Sequence, residues 1–285
     1  MPGLEDEFGD VVRKARSGLG LTIEQLAGAA GLSDGDIKGI EVYTKHPDQA
    51  QVRRLAAELK LRPDQLWEMA EDSWSAQDGP WTVGQSLTIE RLTNHYPEHC
   101  YLVSDRDGRC LIVDPGAEAE RIIAASRAPA PGGGLARQPQ AILITHFHQD
   151  HTGAVVPVQA ATGVPVHIHQ ADLQGVNGVP EGAVKAFDGD GVVTSLGPSL
   201  AVRVLHTPGH SAGSATFVIE VDGATAAFCG DTLFAGSIGN ARAGYDAILH
   251  SVRRKICALP GQTVLYPGHG PATTVANEQA RNPFL

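Results

Sequence analysis

The chain has 285 residues, of which 42% are hydrophobic and 19% are charged, and its formal net charge is -10. This composition is typical of a globular protein, and the length suits one large domain or a large domain with a small one. The acidic balance argues against a general polyanion-binding protein, because nucleic-acid affinity comes largely from Lys and Arg side chains that neutralise phosphates.

The sequence carries no signal for export or membrane insertion. It has no apolar run long enough to cross a bilayer, and the acidic start MPGLEDEFGD lacks the basic and apolar parts of a secretory signal. We therefore expect a cytoplasmic protein without a membrane partner. The cysteines form no C-x-x-C pair, so reduced thiols are expected at Cys100, Cys110, Cys229 and Cys257.

Residues 1–75 have the apolar spacing of short amphipathic helices. Apolar side chains recur at helical intervals, and there is almost no strand signal. Thr22 and Ser33 stand where helices are expected to begin, and Pro63 opens a last short helix. We predict a small all-α domain of about five helices over residues 1–75.

From Trp81 onward the pattern changes to β-branched runs separated by Gly and Pro turns. The segment CYLVSDRDGRCLIVDPG is typical of two strands that are joined at Asp107-Gly108 as a hairpin. The stretch between the two patterns is polar and rich in turn residues. We therefore predict a linker over residues 76–80 and a second domain, of mixed α+β structure, over residues 81–285.

The segment AILITHFHQDHTG combines an apolar strand with a dense group of metal-binding side chains. His146, His148, Asp150 and His151 follow the strand within six residues. In a helix these positions would point to different sides, so we expect them to converge from a loop at the end of the strand. Imidazole and carboxylate groups suit borderline divalent metals, which favours Zn, Fe, Mn or Co over Ca or Mg.

Three later segments repeat this arrangement of an apolar strand, a glycine turn and a metal-binding side chain. They are AVRVLHTPGH, ATAAFCGD and TVLYPGH, which end in His210, Asp231 and His269. A glycine beside each of these residues lets the backbone turn sharply and approach an ion closely. We predict that four strand ends face one cleft. Structural or surface roles are expected for four other histidines of the second domain, which are His167, His169, His206 and His250.

The pattern of seven residues resembles that of the metallo-β-lactamase fold superfamily over roughly residues 81–285. This resemblance implies an αββα sandwich, here preceded by the small helical domain. It also implies two divalent metal ions, for which we expect zinc, with iron or manganese as alternatives. The implied ligands are His146, His148, Asp150, His151, His210, Asp231 and His269.

The resemblance also divides these ligands between the two ions. The three-histidine cluster (His146, His148 and His210) corresponds to the ligands of one ion. The mixed cluster (Asp150, His151 and His269) corresponds to the ligands of the other. Asp231 corresponds to the carboxylate that bridges them.

The segments GDTLFAGSIG, YPGHGPATT and RNPFL resemble glyoxalase II-like hydrolases, which are also described as hydroxyacylglutathione hydrolases. This resemblance implies hydrolysis of a small acyl thioester by a hydroxide that bridges two metals. The expected catalytic residues are Asp231, as the bridge, and Asp150, which would orient the hydroxide or accept its proton. The acyl group and the thiol carrier are left open.

Substrate selection is expected to come from loops around the cleft. The connection over residues 93–97 overhangs the metals in the resembling family, which makes His95, Tyr96 and His99 candidate substrate contacts. Arg242 and Tyr245 are further candidates, on the segment that follows GDTLFAGSIG.

The segments LTIEQLA and AGLS, within residues 8–70, resemble the helix-turn-helix of Cro and XRE-type repressors. The expected recognition helix, however, carries Asp34 and Asp36 where base and phosphate contacts lie in such proteins. Residues 1–75 contain 9 Lys or Arg and 14 Asp or Glu. We therefore do not expect nucleic-acid binding, and expect this domain to mediate a homodimer or partner contact or to cover the mouth of the active site.

Three other functions stay open at this point. A persulfide dioxygenase of the same superfamily would use a single iron, held by His146, His210 and Asp231. A lactonase would apply the two-metal chemistry to a cyclic ester. A DNA-binding regulator, in which the metal domain senses a ligand, is disfavoured by the negative charge of the helical domain.

Overall fold

The computed structural model of the chain describes residues 3–76, 78–79, 81–197 and 200–285. Gln77 and Pro80, in the predicted linker 76–80, lie outside the described residues. Five helices precede the first strand, as the apolar spacing predicts. They are α1 (Phe8–Gly18), α2 (Ile23–Ala30), α3 (Asp34–Glu41), α4 (Gln49–Leu59) and α5 (Pro63–Ala70).

The predicted helix starts are confirmed by their capping bonds. The Thr22 side chain accepts a hydrogen bond from the Gln25 backbone at 3.2 Å, and Ser33 accepts one from Asp36 at 3.1 Å. Each bond satisfies a backbone N–H that the first helical turn leaves without a partner. Both caps therefore fix where α2 and α3 begin.

Fifteen strands within the described residues form two large sheets and a small hairpin. The first sheet has the order β1 to β7, namely β1 (Thr82–Val83), β2 (Leu87–Thr93), β3 (His99–Ser104), β4 (Arg109–Val113), β5 (Gln138–Leu143), β6 (Val166–His169) and β7 (Val184–Phe187). The second sheet has the order β15-β14-β11-β10-β9-β8. Its strands are β8 (Gly191–Leu196), β9 (Leu200–His206), β10 (Ala215–Val221), β11 (Ala224–Gly230), β14 (Val264–Pro267) and β15 (Thr273–Thr274). The hairpin is β12 (Leu233–Phe234) with β13 (Ser237–Ile238).

The remaining helices follow the start of the first sheet. They are α6 (Ala119–Ala125), α7 (Gln149–Thr152), α8 (Val155–Thr162), α9 (Tyr245–His250) and α10 (Val275–Arg281), with 3-10 turns at Gln170–Val176 and Glu181–Ala183 and a π-helical turn at Ser251–Ile256. No helix in the described part of the chain is both long and apolar enough to span a bilayer.

The predicted hairpin at Asp107-Gly108 is confirmed. Strands β3 and β4 pair in antiparallel fashion, with Ser104 opposite Cys110. Gly108 has a φ of +81°, and a side chain there would lie 2.7 Å from the Ala136 carbonyl oxygen, so glycine suits the turn on both counts.

Three apolar clusters show how the layers stack. The inner faces of the two sheets meet in one cluster, which includes Val103 from β3 and Phe217 from β10. The outer face of the first sheet packs against α6 and α8, for example through Ile122 and Val158. Val103 lies in the first of these clusters and its neighbour Leu102 in the second, as the two-residue repeat of a strand requires. The architecture is mixed α/β, with helices outside a pair of sheets.

Helices α1 to α5 share the apolar cluster on the outer face of the second sheet. This cluster joins Leu26 and Leu55 to Val218 of β10 and Ile248 of α9. Polar contacts reinforce the packing, because the Trp74 indole donates a hydrogen bond to the Arg281 carbonyl oxygen at 3.1 Å. The helical region is therefore packed against the sheets, while the predicted domain limits at residues 75 and 81 stay predictions.

Glu278 on α10 is a fully buried carboxyl group at the centre of a polar network. It accepts hydrogen bonds from Thr273 Oγ1 at 2.7 Å, from Asn282 Nδ2 at 2.8 Å and from the Gly236 backbone at 3.1 Å. Burial raises the pKa of this carboxyl to about 7, against the opposing effect of the hydrogen bonds. The network connects α10 to the β12–β13 hairpin.

We expect the Glu278→Gln variant to lose less stability than the wild type as pH rises. An acid whose folded pKa is above its unfolded pKa holds more protons in the folded state between the two values, so the free energy of unfolding falls as pH rises through that interval. Between pH 4 and pH 8 the free energy of unfolding should fall by on the order of 3 kcal/mol more in the wild type than in the variant. Urea unfolding of both proteins at each pH measures it, with the exposed Glu58→Gln change on α4 as control. Parallel pH profiles for wild type and variant would contradict the prediction.

Candidate metal centre

The metal-binding motif lies after β5, at the carboxyl end of that strand. His146 and His148 occupy the loop, as predicted, but Asp150 and His151 lie on the one-turn helix α7. The prediction of a continuous loop was wrong at this point. His148 has extended backbone angles, φ -62° and ψ 147°, so the chain bends there and a single helical turn suffices to bring the last two side chains towards the first two.

The other three predicted residues follow strands of the second sheet. His210 comes after β9, Asp231 directly follows β11, and His269 comes two residues after β14. Strands β11 and β14 are parallel neighbours, so their carboxyl ends lie at the same edge of the sheet. The structure thus brings all seven predicted residues to one cleft.

The three-histidine cluster is compact. His148 Nδ1 lies 2.8 Å from His210 Nε2, and one nitrogen from each of the three rings lies within 4.8 Å of the others. His146 and His210 are buried, and His148 is partly exposed. Three imidazoles whose nitrogens converge in this way can bind one divalent ion.

The mixed cluster lies beside the first. Asp150 Oδ2 is 3.3 Å from His269 Nε2 and 3.8 Å from His151 Nε2. The three ligand atoms lie within 4.8 Å of one another, so this group can also bind an ion.

Asp231 stands between the two clusters with one carboxylate oxygen towards each. Its Oδ2 lies 3.5 Å from His210 Nε2 and 4.0 Å from His146 Nε2. Its Oδ1 lies 3.3 Å from His151 Nε2 and 3.8 Å from His269 Nε2. One oxygen of this carboxylate thus faces each cluster.

Unpaired buried atoms test whether these residues suit metal ions. His146 Nε2, His151 Nε2 and Asp231 Oδ1 are buried and have no hydrogen-bond partner among the described residues. Buried polar atoms are nearly always paired, because losing water without a replacement costs about 1–3 kcal/mol for each group. These three atoms face a common space, and a divalent cation would satisfy them together. The donor set therefore fits metal ions.

In three of the histidine rings, Nδ1, the nitrogen opposite the proposed ligand atom Nε2, makes a polar contact with a neighbouring group. The ring of His210 donates through Nδ1 to the Asn240 carbonyl oxygen at 2.9 Å, and that of His151 contacts Asp114 Oδ2 through Nδ1 at 3.0 Å. His146 Nδ1 lies 3.1 Å from Thr145 Oγ1. A proton on Nδ1 leaves the Nε2 lone pair free for an ion, so these contacts set both ring orientation and tautomer.

The electrostatics of the cleft favour neutral rings at His146 and His210 but not at every histidine. Against the opposing effect of burial, Asp231 raises the pKa of His151 well above its usual range and Asp150 raises that of His269. Burial lowers the pKa of His146 well below its usual range and that of His210 to about 4. Burial opposes ionisation of Asp231, but the neighbouring His151 and the other histidines hold the pKa of this carboxyl well below its usual range. Neutral imidazole and ionised carboxylate are the forms that bind metals.

Gly268 shows why glycines flank the ligands, as the sequence predicts. A side chain there would lie 2.4 Å from the His151 ring and 2.5 Å from Asp231 Oδ1. Gly209 has a φ of +135°, and a side chain would lie 2.3 Å from the backbone of Ile248. Any larger residue at either position would displace a ligand or the loop that carries it.

Two buried acids that support the site were missed by the sequence reasoning. Asp114, which follows β4, accepts hydrogen bonds from the Thr145 backbone at 2.7 Å and side chain at 2.6 Å, in addition to its contact with His151. Asp172 accepts from the Phe147 backbone at 3.1 Å and the Gly213 backbone at 2.9 Å, and so connects the loops of His146 and His210. The Asp-Pro-Gly turn after a buried strand was a signal for Asp114.

A family model described as the Metallo-beta-lactamase superfamily matches residues 94–269 of the chain. The chain belongs to the metallo-beta-lactamase superfamily. This confirms the predicted superfamily, whose fold implies binding of divalent metal ions. The match begins within the β2–β3 connection, so helices α1 to α5 lie outside it.

Individual superfamily members cover about two thirds of the chain. The probable metallo-hydrolase YqgX of Bacillus subtilis (strain 168) is 35% identical over 202 residues, which are 65% of this chain and 90% of that protein. Hydroxyacylglutathione hydrolase GloC of Haemophilus influenzae (strain ATCC 51907 / DSM 11121 / KW20 / Rd) is 31% identical over 206 residues, which are 67% of this chain and 93% of that protein. The crystal structure of TTHA1623 in a di-iron-bound form has 34% identity and a TM-score of 0.55, and the similarity covers 69% of this chain and all of that one, 100%.

The candidate substrate contacts of this superfamily member lie in different places. Arg242 lines the cleft, and its Nη1 lies 3.3 Å from His148 Nε2. Tyr245 lines an adjoining cavity of about 200 Å³. His95 and Tyr96 are exposed on the β2–β3 connection, with ring centroids 4.1 Å apart, and they are not among the residues that line the cleft.

His99 is a correction to the predicted contacts. Its ring is buried in β3, with Nε2 2.8 Å from the Gly270 carbonyl oxygen and Nδ1 3.1 Å from Thr93 Oγ1. Both nitrogens are therefore engaged, and burial lowers the pKa of His99 to about 4. This histidine connects β3 to the segment after His269 and has no free atom to offer a substrate.

Proposed function

We propose that the chain is a dinuclear metal-dependent hydrolase of small acyl thioesters. The observation that carries this proposal is the placement of Asp231, whose two oxygens face two separate ligand clusters. In the proposal the three-histidine cluster would hold one ion, the mixed cluster would hold the other, and Asp231 would contribute one oxygen to each site. Zinc is the proposed metal, because its ligand preferences match this set of imidazoles and carboxylates, and iron is the alternative.

When bound, a pair of such ions lowers the pKa of a shared water towards about 7 and polarises a carbonyl group. Asp150 is half-buried, with Oδ2 3.3 Å from His269 Nε2, and in the proposal it would orient the attacking water and accept its proton. Proximity of this carboxylate to the water would contribute to the reaction rate, in addition to the role of Asp150 as a metal ligand.

Arg242 is the proposed contact for an anionic group of the substrate. If His148 binds through Nδ1, the nitrogen that faces His210, its Nε2 carries the ring proton and cannot accept a hydrogen bond from Arg242. No carboxylate among the described residues lies within 4.0 Å of the Arg242 guanidinium. The exposed cation is then available to a carboxylate on the acyl group or on the thiol carrier.

Relatedness supports a thioester over other substrates. The Haemophilus influenzae protein, which is 31% identical, is named a hydroxyacylglutathione hydrolase. For this chain, hydrolysis of a thioester is a hypothesis that this similarity supports. The di-iron form of the TTHA1623 structure supports two adjacent ions and also keeps iron as a candidate.

A second candidate is a persulfide dioxygenase with a single iron. His146, His210 and Asp231 Oδ2 form a three-ligand set that does not need the mixed cluster, with distances of 3.5 Å and 4.0 Å from the carboxylate oxygen to the two rings. A lactonase would need both clusters, so only its substrate distinguishes it from the thioesterase.

DNA binding is not part of the proposal. Asp34 and Asp36 begin α3, and Asp36 is engaged with Ser33 and with Lys45 Nζ at 3.0 Å. This acidic end would repel phosphates, so we propose that the helical region serves the enzyme.

A substrate panel on the purified protein tests the proposal. We expect two equivalents of zinc by elemental analysis and hydrolysis of at least one acyl-glutathione or acyl-CoA thioester. Lactones serve as the matched oxygen esters, and oxygen uptake with glutathione persulfide serves as the test of the dioxygenase. Thioesters left intact by metal-loaded protein, or one iron with oxygen consumption, would overturn the thioesterase.

A further inference from the structure

The helical region forms one wall of the metal cleft. The cleft has a volume of about 400 Å³, and Glu5, Asp6 and Lys14 line it together with the proposed ligands. At the rim, a side chain at Gly270 would lie only 3.1 Å from Cβ of Glu5, so this part of the chain lies directly against the segment that follows His269. The wall belongs to residues outside the superfamily match.

Lys14 on α1 is a buried cation with three contacts. The residue as a whole is 9% exposed. Its ammonium group forms an ion pair with Asp6 and donates a hydrogen bond to the Ile238 carbonyl oxygen at 2.8 Å. It also lies 4.9 Å from the centroid of the Phe234 ring. Burying a Lys is costly unless its charge and its donors are satisfied, and here they are satisfied by the edge of the cleft itself.

Ile238, whose carbonyl oxygen accepts the Lys14 hydrogen bond, begins the segment that contacts His210. Two residues after Ile238, the Asn240 carbonyl oxygen accepts the His210 Nδ1 hydrogen bond at 2.9 Å. Between them, a side chain at Gly239 would lie 1.7 Å from the Asp231 carbonyl oxygen. The segment 238–242 is therefore pressed against two proposed ligands, and any displacement of it moves the acceptor of His210.

A second contact from α1 holds the end of the same segment. A side chain at Gly18 would lie 2.2 Å from the Tyr245 ring, so the ring packs directly on the helix backbone. Helix α1 thus holds the segment at Ile238 and just beyond Arg242. Two fixed points leave little freedom for the loop between them.

We infer that Lys14 is a positioning residue of the metal centre, and that the helical region is a built-in part of the active site. Lys14 acts through the Ile238 carbonyl group on the segment 238–242, and through it on the orientation of His210 and the position of Arg242. The Asn240 carbonyl group is the direct partner of His210, and loss of such a partner typically changes metal affinity or activity 10-fold to 100-fold; Lys14 acts through the position of this group. The inference rests on the metal site of the proposed function but is independent of which thioester is cleaved.

The test compares metal binding by full-length variants in a chelator competition. We expect Lys14→Met to weaken zinc binding by about 10-fold or more and to lower kcat for the thioester that responds in the panel. Lys14→Arg, which keeps a donor for the Ile238 carbonyl oxygen, should restore most of the affinity. Lys38→Met makes the same chemical change on the exposed face of α3 and should leave zinc binding at the wild-type value.

The outcomes separate this inference from the proposed function. Wild-type protein that binds no zinc, iron or manganese would overturn both. Normal metal binding by wild type and by folded Lys14→Met, with unchanged kcat, would overturn the inference alone. Should Lys14→Met fail to fold, Lys14→Ala removes the ammonium group without placing an apolar chain in its polar contacts, and wild-type affinity in that variant would overturn the inference.

Discussion

The Asp231→Asn variant is expected to lose thioester hydrolysis by about 10³-fold or more in kcat/KM. Asn keeps the shape of the side chain but removes the negative charge and replaces one oxygen by a donor. The oxygen towards His151 and His269 or the oxygen towards His210 and His146 is then lost as a ligand. Since both clusters share this carboxylate, both ions should bind more weakly.

Steady-state kinetics and elemental analysis on the same preparation measure this effect. Asp34→Asn makes the same change at an exposed position on α3 and should keep wild-type kinetics and metal content. An Asp231→Asn protein that retained two metal equivalents and full turnover would remove Asp231 from the bridging role.

The Asp150→Asn variant should show a loss of about 10²-fold or more in kcat while it keeps one metal equivalent. The three-histidine cluster does not include Asp150, so its ion should still bind. The mixed cluster would lose its only carboxylate apart from Asp231. This variant therefore separates a dinuclear enzyme from one that needs a single ion.

Two results for Asp150→Asn have opposite meanings. If the variant loses one metal equivalent and also loses hydrolysis, the result supports the two-metal proposal. Loss of one equivalent with undiminished turnover would show that the mixed cluster is dispensable, and would favour the mononuclear alternative built on His146, His210 and Asp231.

The sequence was sufficient to predict that the proposed ligands lie together in one cleft, because their signal is local. All of them follow apolar strands and carry metal-binding groups, His210, Asp231 and His269 have an adjacent glycine, and strand ends in a layered α/β fold lie at a common edge. The hairpin at Asp107-Gly108 and the helix starts at Thr22 and Ser33 were predictable for the same reason, since turn and cap chemistry depends on adjacent residues.

The supporting residues were not predictable, because their partners are distant in sequence. Asp114 contacts His151 across 37 positions, and Lys14 contacts Ile238 across 224. Acids and lysines are common in loops and helices, so residue type does not reveal these contacts, and the Asp-Pro-Gly turn marks the place of Asp114 without identifying its partner. His99 was misjudged for the converse reason, because a histidine beside a loop gives no sign of whether its ring points into the strand packing or into a cleft.

Zinc titration of the metal-free protein, followed by hydrolysis of the responding thioester, tests the central claim most directly. Two ligand clusters that share Asp231 predict that activity rises only as the second equivalent binds and reaches a plateau at two equivalents. Full activity at one equivalent, or no hydrolysis with both sites filled, would contradict the dinuclear hydrolase.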